Sequence, residues 1–256
     1  MHSSLRAVGT MEGGAAGLIA AFQKTLGPEG TIVAPTFTFG HSDPAGWHTP
    51  PEPESLDAAR AAIPLFDPES TPTYVPWMGI FPEVLRLTPG AKRSNHPIVS
   101  FAALGTQAEY LTRGAPYHFP LGTDSPLARL HQIGGLIALI GVGHRVNSTL
   151  HLAEVWANVP YIDRSVRLKT GIDQWTKMRG SPECSRGFDR MGILFDSSRL
   201  VTHGKLGDAP VQIMSVRAIV SLTMNVLAQR PGALLCDIDG CAHCKTARRL
   251  ISPSLL

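Results

Sequence analysis

The 256-residue chain is short of several things, and each shortage removes a class of function. It has no run of lysines and arginines: the formal net charge is only +3 and the basic residues are scattered, so nothing marks a nucleic-acid surface. It has no long apolar run. The longest, Leu136–Val142, has the length of a strand, far below the roughly 18 residues that span a bilayer, so no membrane segment is expected. The N-terminus lacks a basic segment followed by an apolar core, so no signal peptide is expected. No repeat, clear linker or low-complexity tract is present. Cysteine is scarce too: Cys184 stands alone, and Cys236, Cys241 and Cys244 crowd near the C-terminus. A disulfide framework spreads over a fold, so a reducing cytoplasm fits best.

What is present is enough apolar material for a sizeable core: 43% of residues are hydrophobic and 17% charged. Periodicity places helices at Ala15–Leu26, Phe81–Leu87, Ala108–Thr112 and Val216–Leu227. In the last of these Val216, Ile219, Val220 and Leu227 share the inner side. Strands are expected at Thr31–Ala34, Ile98–Leu104 and Leu136–Val142, the last central and covered on both faces. Ser125-Pro126 opens a further helix, with serine as cap and proline in the first helical position. Residues 40–76 are rich in proline and acid and read as a long excursion over the surface. Strands alternating with helices point to the α/β class, a layered α/β/α sheet carrying that excursion.

Candidate chemistry gathers after the central strand, in Gly141-Val142-Gly143 and the helix that follows. Asn147 or Ser148 is placed to cap that helix. His151 and Glu154, three apart, share one face, with Asn158 one turn further on. The positive end of the helix dipole favours neutral imidazole, the form a general base needs. Taken alone, the spacing also fits an ordinary half-buried histidine. His96 before Pro97 fits a structural turn as well as a site. Asp43, Asp67 and neighbouring acids could attract a polycation or could simply be solvated. Cys236-x4-Cys241-x2-Cys244 looks like a metal knuckle but lacks the paired arrangement of a zinc site. It is read as free thiols in a tail from about residue 230, and no metal is expected.

In order along the chain, these pieces resemble the aminoglycoside 3-N-acetyltransferase family. The matching segments are His2-Ser3-Ser4-Leu5; Gly30-Thr31 with Pro35-Thr36-Phe37; Phe66-Asp67-Pro68; Arg93-Ser94-Asn95-His96-Pro97; Gly122-Thr123-Asp124-Ser125-Pro126-Leu127; Leu150-His151-Leu152-Ala153-Glu154; and Gly204-Lys205-Leu206-Gly207-Asp208-Ala209. The resemblance implies one acetyltransferase domain over residues 1–256, with an N-terminus shortened relative to the family. It implies acetyl-CoA as cosubstrate and direct acetyl transfer to a primary amine, the 3-amino group of an aminoglycoside. The partners would be the amine and acetyl-CoA alone, with no nucleic acid and no membrane; a homodimer stays open. It further implies His151 as general base, Glu154 orienting it or holding a second amine, and His96 in a lesser catalytic role. Ser3, Ser4, Leu5, Ser125, Ser148 and Thr149 would contact the cofactor, and Asn158, Asp67 and Asp43 the acceptor. Backbone N–H groups at Ser3-Ser4 or Ser148-Thr149 would face the oxyanion. Where many members carry an acid just before the Leu-His motif, this chain has Arg145, which cannot orient an imidazole. Three rival readings are the same chemistry on another amine, a non-catalytic CoA or antibiotic binder, and a small metal module.

Overall fold

The computed structural model describes residues 1–47, 49–167, 175–181 and 184–251. Nine strands are described: β1 His2–Ser3, β2 Thr31–Pro35, β3 Lys92–Arg93, β4 Phe101–Gly105, β5 Leu136–Ile140, β6 Ile162–Arg167, β7 Trp175–Ser181, β8 Val201–Leu206 and β9 Ala209–Ser215. Between them run α1 Leu5–Val8, α2 Gly14–Leu26, α3 Leu56–Ala62, α4 Val75–Met78, α5 Ile80–Leu87, α6 Ala108–Thr112, α7 Pro126–Gln132, α8 Thr149–Trp156, α9 Arg190–Ser197, α10 Val216–Gln229 and α11 Ala242–Leu250. The fold is mixed α/β. Its described strands divide among three sheets: β1-β5-β9-β8, β2-β4-β3 and the hairpin β6-β7. β5 lies inside the first, parallel to β1 and antiparallel to β9. No helix among the described residues is long and apolar enough to cross a membrane.

The strongest patterns in the sequence form the expected elements. α10 buries Val216, Ile219, Val220 and Leu227, the three-and-four spacing of one helical face, and packs that face on α8. Ser125 caps α7, its Oγ accepting the Ala128 N–H at 3.1 Å, with Pro126 in the first turn. The β8–β9 hairpin turns on Gly207-Asp208. Gly207 has φ +57°, and a Cβ there would stand 2.3 Å from the Val8 carbonyl oxygen, so only glycine lets the turn close on the end of α1.

The segment 40–76 is more ordered than its composition suggests. It takes in short 3-10 turns at Phe39–His41, Pro44–Gly46 and Pro53–Ser55, then α3 and the start of α4. Asp43 is held by two nitrogens of Arg60, at 2.9 and 3.0 Å. Arg93 reaches in from β3 to the Thr36 carbonyl at 2.8 Å and to the Thr71 carbonyl, with its guanidinium 4.9 Å from the centre of the Phe66 ring. At the far end Glu83 of α5 accepts from the Thr73 N–H at 2.8 Å and from Arg86 at 2.9 and 2.5 Å. Burial alone would raise the Glu83 pKa. The guanidinium and the backbone donor outweigh burial and hold it at about 2, against an ordinary 4.5.

A depressed carboxyl stabilises the fold fully above its unfolded pKa and loses that contribution as pH falls through the folded value. Stability should therefore decline between about pH 4.5 and about pH 2. Glu83→Gln should lower it by about 1–3 kcal/mol at neutral pH and flatten this acid limb, as read by urea unfolding across pH. An unchanged acid limb in the variant would show that another group sets it.

Candidate active site

β5 delivers the chain to the site and a glycine turns it. Gly141 has φ +64°, and a Cβ there would stand 2.5 Å from the Ala7 Cβ. A 3-10 turn at His144–Val146 follows. Asn147 then caps α8 through its Oδ1, which accepts the Thr149 N–H at 3.2 Å; Ser148 makes no side-chain cap. The first six residues of α8, Thr149 to Glu154, are all buried. A helix buried this completely must satisfy its polar side chains internally.

His151 and Glu154 do so together. The Glu154 Oε2 lies 2.8 Å from the His151 Nδ1, and the two side chains are 4% and 9% exposed. Tyr161 completes the group. Its hydroxyl donates to the same Oε2 at 2.9 Å and lies 3.2 Å from the His151 carbonyl oxygen. Burial, and then the Glu154 charge, push the Tyr161 pKa well above its ordinary value, so the phenol keeps its proton and donates. Phe188 packs against the imidazole at 62°, ring centres 4.7 Å apart. With a carboxylate at Nδ1, the imidazole carries its proton there. That leaves a lone pair on Nε2, which has no hydrogen-bond partner among the described residues. The acid partner that Arg145 cannot be is therefore Glu154. Arg145 is exposed, and its backbone N–H bonds Asp189 at 2.9 Å.

Beside this group lies a cleft of about 250 Å³, lined by Phe119, Val155, Asn158, Tyr161, Asp163 and Arg179 among others. Asn158 is not one turn further along the helix, as the spacing suggested. α8 ends at Trp156, and Asn158 sits beyond it at φ +56°, exposed but still on the cleft wall. Asp163, also on that wall, pairs with Lys177 at 2.8 Å.

The other expected residues are placed differently. His96 is buried, and backbone groups use its ring. Nδ1 accepts from Ile98 and Val99 at 3.2 and 3.0 Å, and Nε2 lies 3.3 Å from the Tyr117 carbonyl oxygen. Desolvation lowers its pKa to about 4, so it stays neutral, a turn-forming histidine with no nitrogen left for chemistry. Asp43 is engaged by Arg60. Asp67 accepts the N–H groups of Glu69 and Ser70 at 2.8 and 3.1 Å, closing a turn. Ser4 caps α1, its Oγ 3.3 Å from the Ala7 nitrogen, and Leu5 packs against an apolar cluster that includes Leu18, Phe81 and Leu85. Ser125 is wholly buried in its capping role. Two of the backbone donors expected at an oxyanion are already bonded: Ser4 N–H to the Ile140 carbonyl at 2.9 Å, and Thr149 N–H to Asn147. Ser3 differs, since its Oγ is buried without a hydrogen-bond partner. Tyr161 and Phe188 went unseen in the sequence, because no spacing ties them to α8.

The family model for aminoglycoside 3-N-acetyltransferase matches residues 1–228. The aminoglycoside N(3)-acetyltransferase IV of Salmonella sp. is 33% identical over 242 residues, covering 94% of this chain and 84% of that protein. Among solved structures, a histidine-to-alanine mutant of the aminoglycoside acetyltransferase AAC(3)-IVa in complex with a gentamicin superposes with a TM-score of 0.83 at 32% identity, covering 98% of this chain and 89% of that one. An AAC-IIIb structure, binary with CoASH, superposes with a TM-score of 0.76 at 29% identity, covering 88% and 87%. The chain belongs to the aminoglycoside 3-N-acetyltransferase family, and is an acetyltransferase.

Two measurements check the geometry of the pair. Long-range nitrogen–proton NMR should show the His151 proton on Nδ1 and none on Nε2; a proton on Nε2 would mean that Glu154 does not set the tautomer. Tyr161→Phe should lower stability by about 1 kcal/mol, because it removes one donor from a buried carboxylate.

Proposed function

We propose that the chain transfers the acetyl group of acetyl-CoA directly to the 3-amino group of an aminoglycoside, with His151 as general base. The observation that carries this reading is the buried His151–Glu154 pair, bonded by Tyr161, which itself lines the cleft. The amine must be neutral to attack the thioester carbonyl. As its nitrogen bonds to that carbon, His151 Nε2 takes the proton the nitrogen sheds. The carbon–sulfur bond breaks, and the proton passes on to the departing sulfur, giving the amide and free CoA. Glu154 holds the ring in the correct tautomer and stabilises the imidazolium while it exists. Tyr161 fixes the carboxylate, and Phe188 fixes the plane of the ring.

The cosubstrate fits one of the expected serines better than the others. Ser3 keeps an uncommitted hydroxyl, although a buried one, whereas Ser4 and Ser125 are committed to helix caps. Asn158 on the cleft wall supports contact with the acceptor. A reducing cytoplasm, where acetyl-CoA is made and thiols stay free, suits the reading.

His151→Ala should lower acetyl-CoA consumption, read as thiol release in the presence of an aminoglycoside, by about 10²-fold or more. Acetyl-CoA affinity should change little. Turnover within a few-fold of the native rate would contradict the role of His151. Thiol release with other amines but with no aminoglycoside would keep the chemistry and overturn the acceptor.

A further inference from the structure

The four cysteines form one group, although the sequence sets Cys184 far from the rest. Cys184 comes from the segment between β7 and α9, Cys236 from the loop after α10, Cys241 from the N-cap of α11 and Cys244 from its first turn. Their sulfurs all lie within 4.8 Å of one another, no disulfide joins them, and three of the four residues are buried. A Zn–S bond of about 2.3 Å puts the edges of a tetrahedral ZnS₄ unit near 3.8 Å, so closing these sulfurs on an ion takes a movement of about an ångström at most. The surroundings suit a thiolate cluster. The Cys236 N–H points at the Cys244 sulfur at 3.3 Å, a backbone donor that supports a metal-bound thiolate. Arg248 bonds the Cys236 carbonyl at 2.6 Å and Arg190 the Leu235 carbonyl at 2.8 Å, and both also pair with Asp237, so the loop that carries Cys236 is braced from two sides. Local packing is already set: a Cβ at Gly187 would stand 2.2 Å from the Leu234 carbonyl oxygen, so the segment after Cys184 lies flush on the loop that leads to Cys236.

We infer that Cys184, Cys236, Cys241 and Cys244 bind one structural zinc ion, replacing the expectation of a tail of free thiols and no metal. The ion closes a site with no open position, so its role is to clamp rather than to react. Binding displaces four thiol protons to solvent and ties the segment after β7 to the start of α11. Both clamped segments touch the catalytic group. Phe188, four residues after Cys184, packs on His151; His243, between Cys241 and Cys244, packs on Tyr161 with ring centres 6.2 Å apart. The metal assignment stands without the proposed function; only the link to His151 rests on it. All three C-terminal ligands lie beyond residue 228, where the family match ends.

The test is metal analysis of the purified full-length protein, expressed with added zinc and desalted. One zinc per chain is expected, with the four thiols unreactive towards a thiol reagent until the protein is denatured or the metal chelated. Replacing zinc with cobalt(II) should give the strong thiolate-to-cobalt absorption of a tetrahedral sulfur site, a readout independent of activity. Cys241→Ser, at the least buried ligand, should lower zinc retention and weaken the cobalt band while the chain still folds. Protein without stoichiometric zinc, with four titratable thiols or with disulfides among them, would overturn the assignment, as would cobalt that binds without a thiolate band. Zinc that stays at one per chain in both Cys184→Ser and Cys241→Ser would also overturn it, by placing the ion elsewhere.

Discussion

A carboxylate sealed inside a protein must have donors on its oxygens, and Glu154 sets that condition for the whole centre of this molecule. Its side chain is 4% exposed. The His151 imidazole and the Tyr161 hydroxyl meet the need, and both converge on Oε2. Each then becomes constrained in turn. The imidazole is fixed in one tautomer with Nε2 turned from the carboxylate. The phenol stays protonated because burial, and then the carboxylate beside it, oppose a second negative charge. In the proposed mechanism, the contacts that satisfy the buried carboxylate are also those that prepare the general base.

The scaffold around Glu154 follows from that constraint. α8 is buried from its first residue, so it needs cover on every side. α10 provides it through its regular apolar face, while Phe188 and Tyr161 close over the polar pair. The turn before α8 depends on Gly141 and on the Asn147 cap, which fix where the helix starts and so where His151 points. The segments bearing Phe188 and His243 also carry cysteines of the cluster, so the surroundings of the cluster reach the imidazole through Phe188 and its partner Tyr161 through His243.

Sequence carried some of this and hid the rest, for reasons specific to each residue. α10 and the α7 cap were legible because periodicity and capping are local, and so was the shared face of His151 and Glu154, three apart on one helix. Asn158 was misplaced because periodicity cannot announce that α8 stops at Trp156. Tyr161 lies past that stop and Phe188 after a hairpin, so only the folded chain brings them to the ring. His96, Asp43 and Asp67 have the composition of site residues, but structural partners use them: backbone N–H groups around His96 and at Asp67, and Arg60 at Asp43. Cys184 is the plainest case. Three cysteines near the C-terminus read as an incomplete set because the fourth ligand comes from a distant segment of the chain.

The central claim is that the His151 Nε2 receives the acceptor's proton. The most direct measurement is a crystal structure of this chain with CoA and an aminoglycoside bound. The account predicts the 3-amino nitrogen within hydrogen-bond reach of Nε2, about 3 Å, with the CoA sulfur on the other side of that nitrogen and the Glu154–Nδ1 contact intact. An amine bound to Glu154 in place of His151, or a reacting nitrogen out of reach of Nε2, would contradict it.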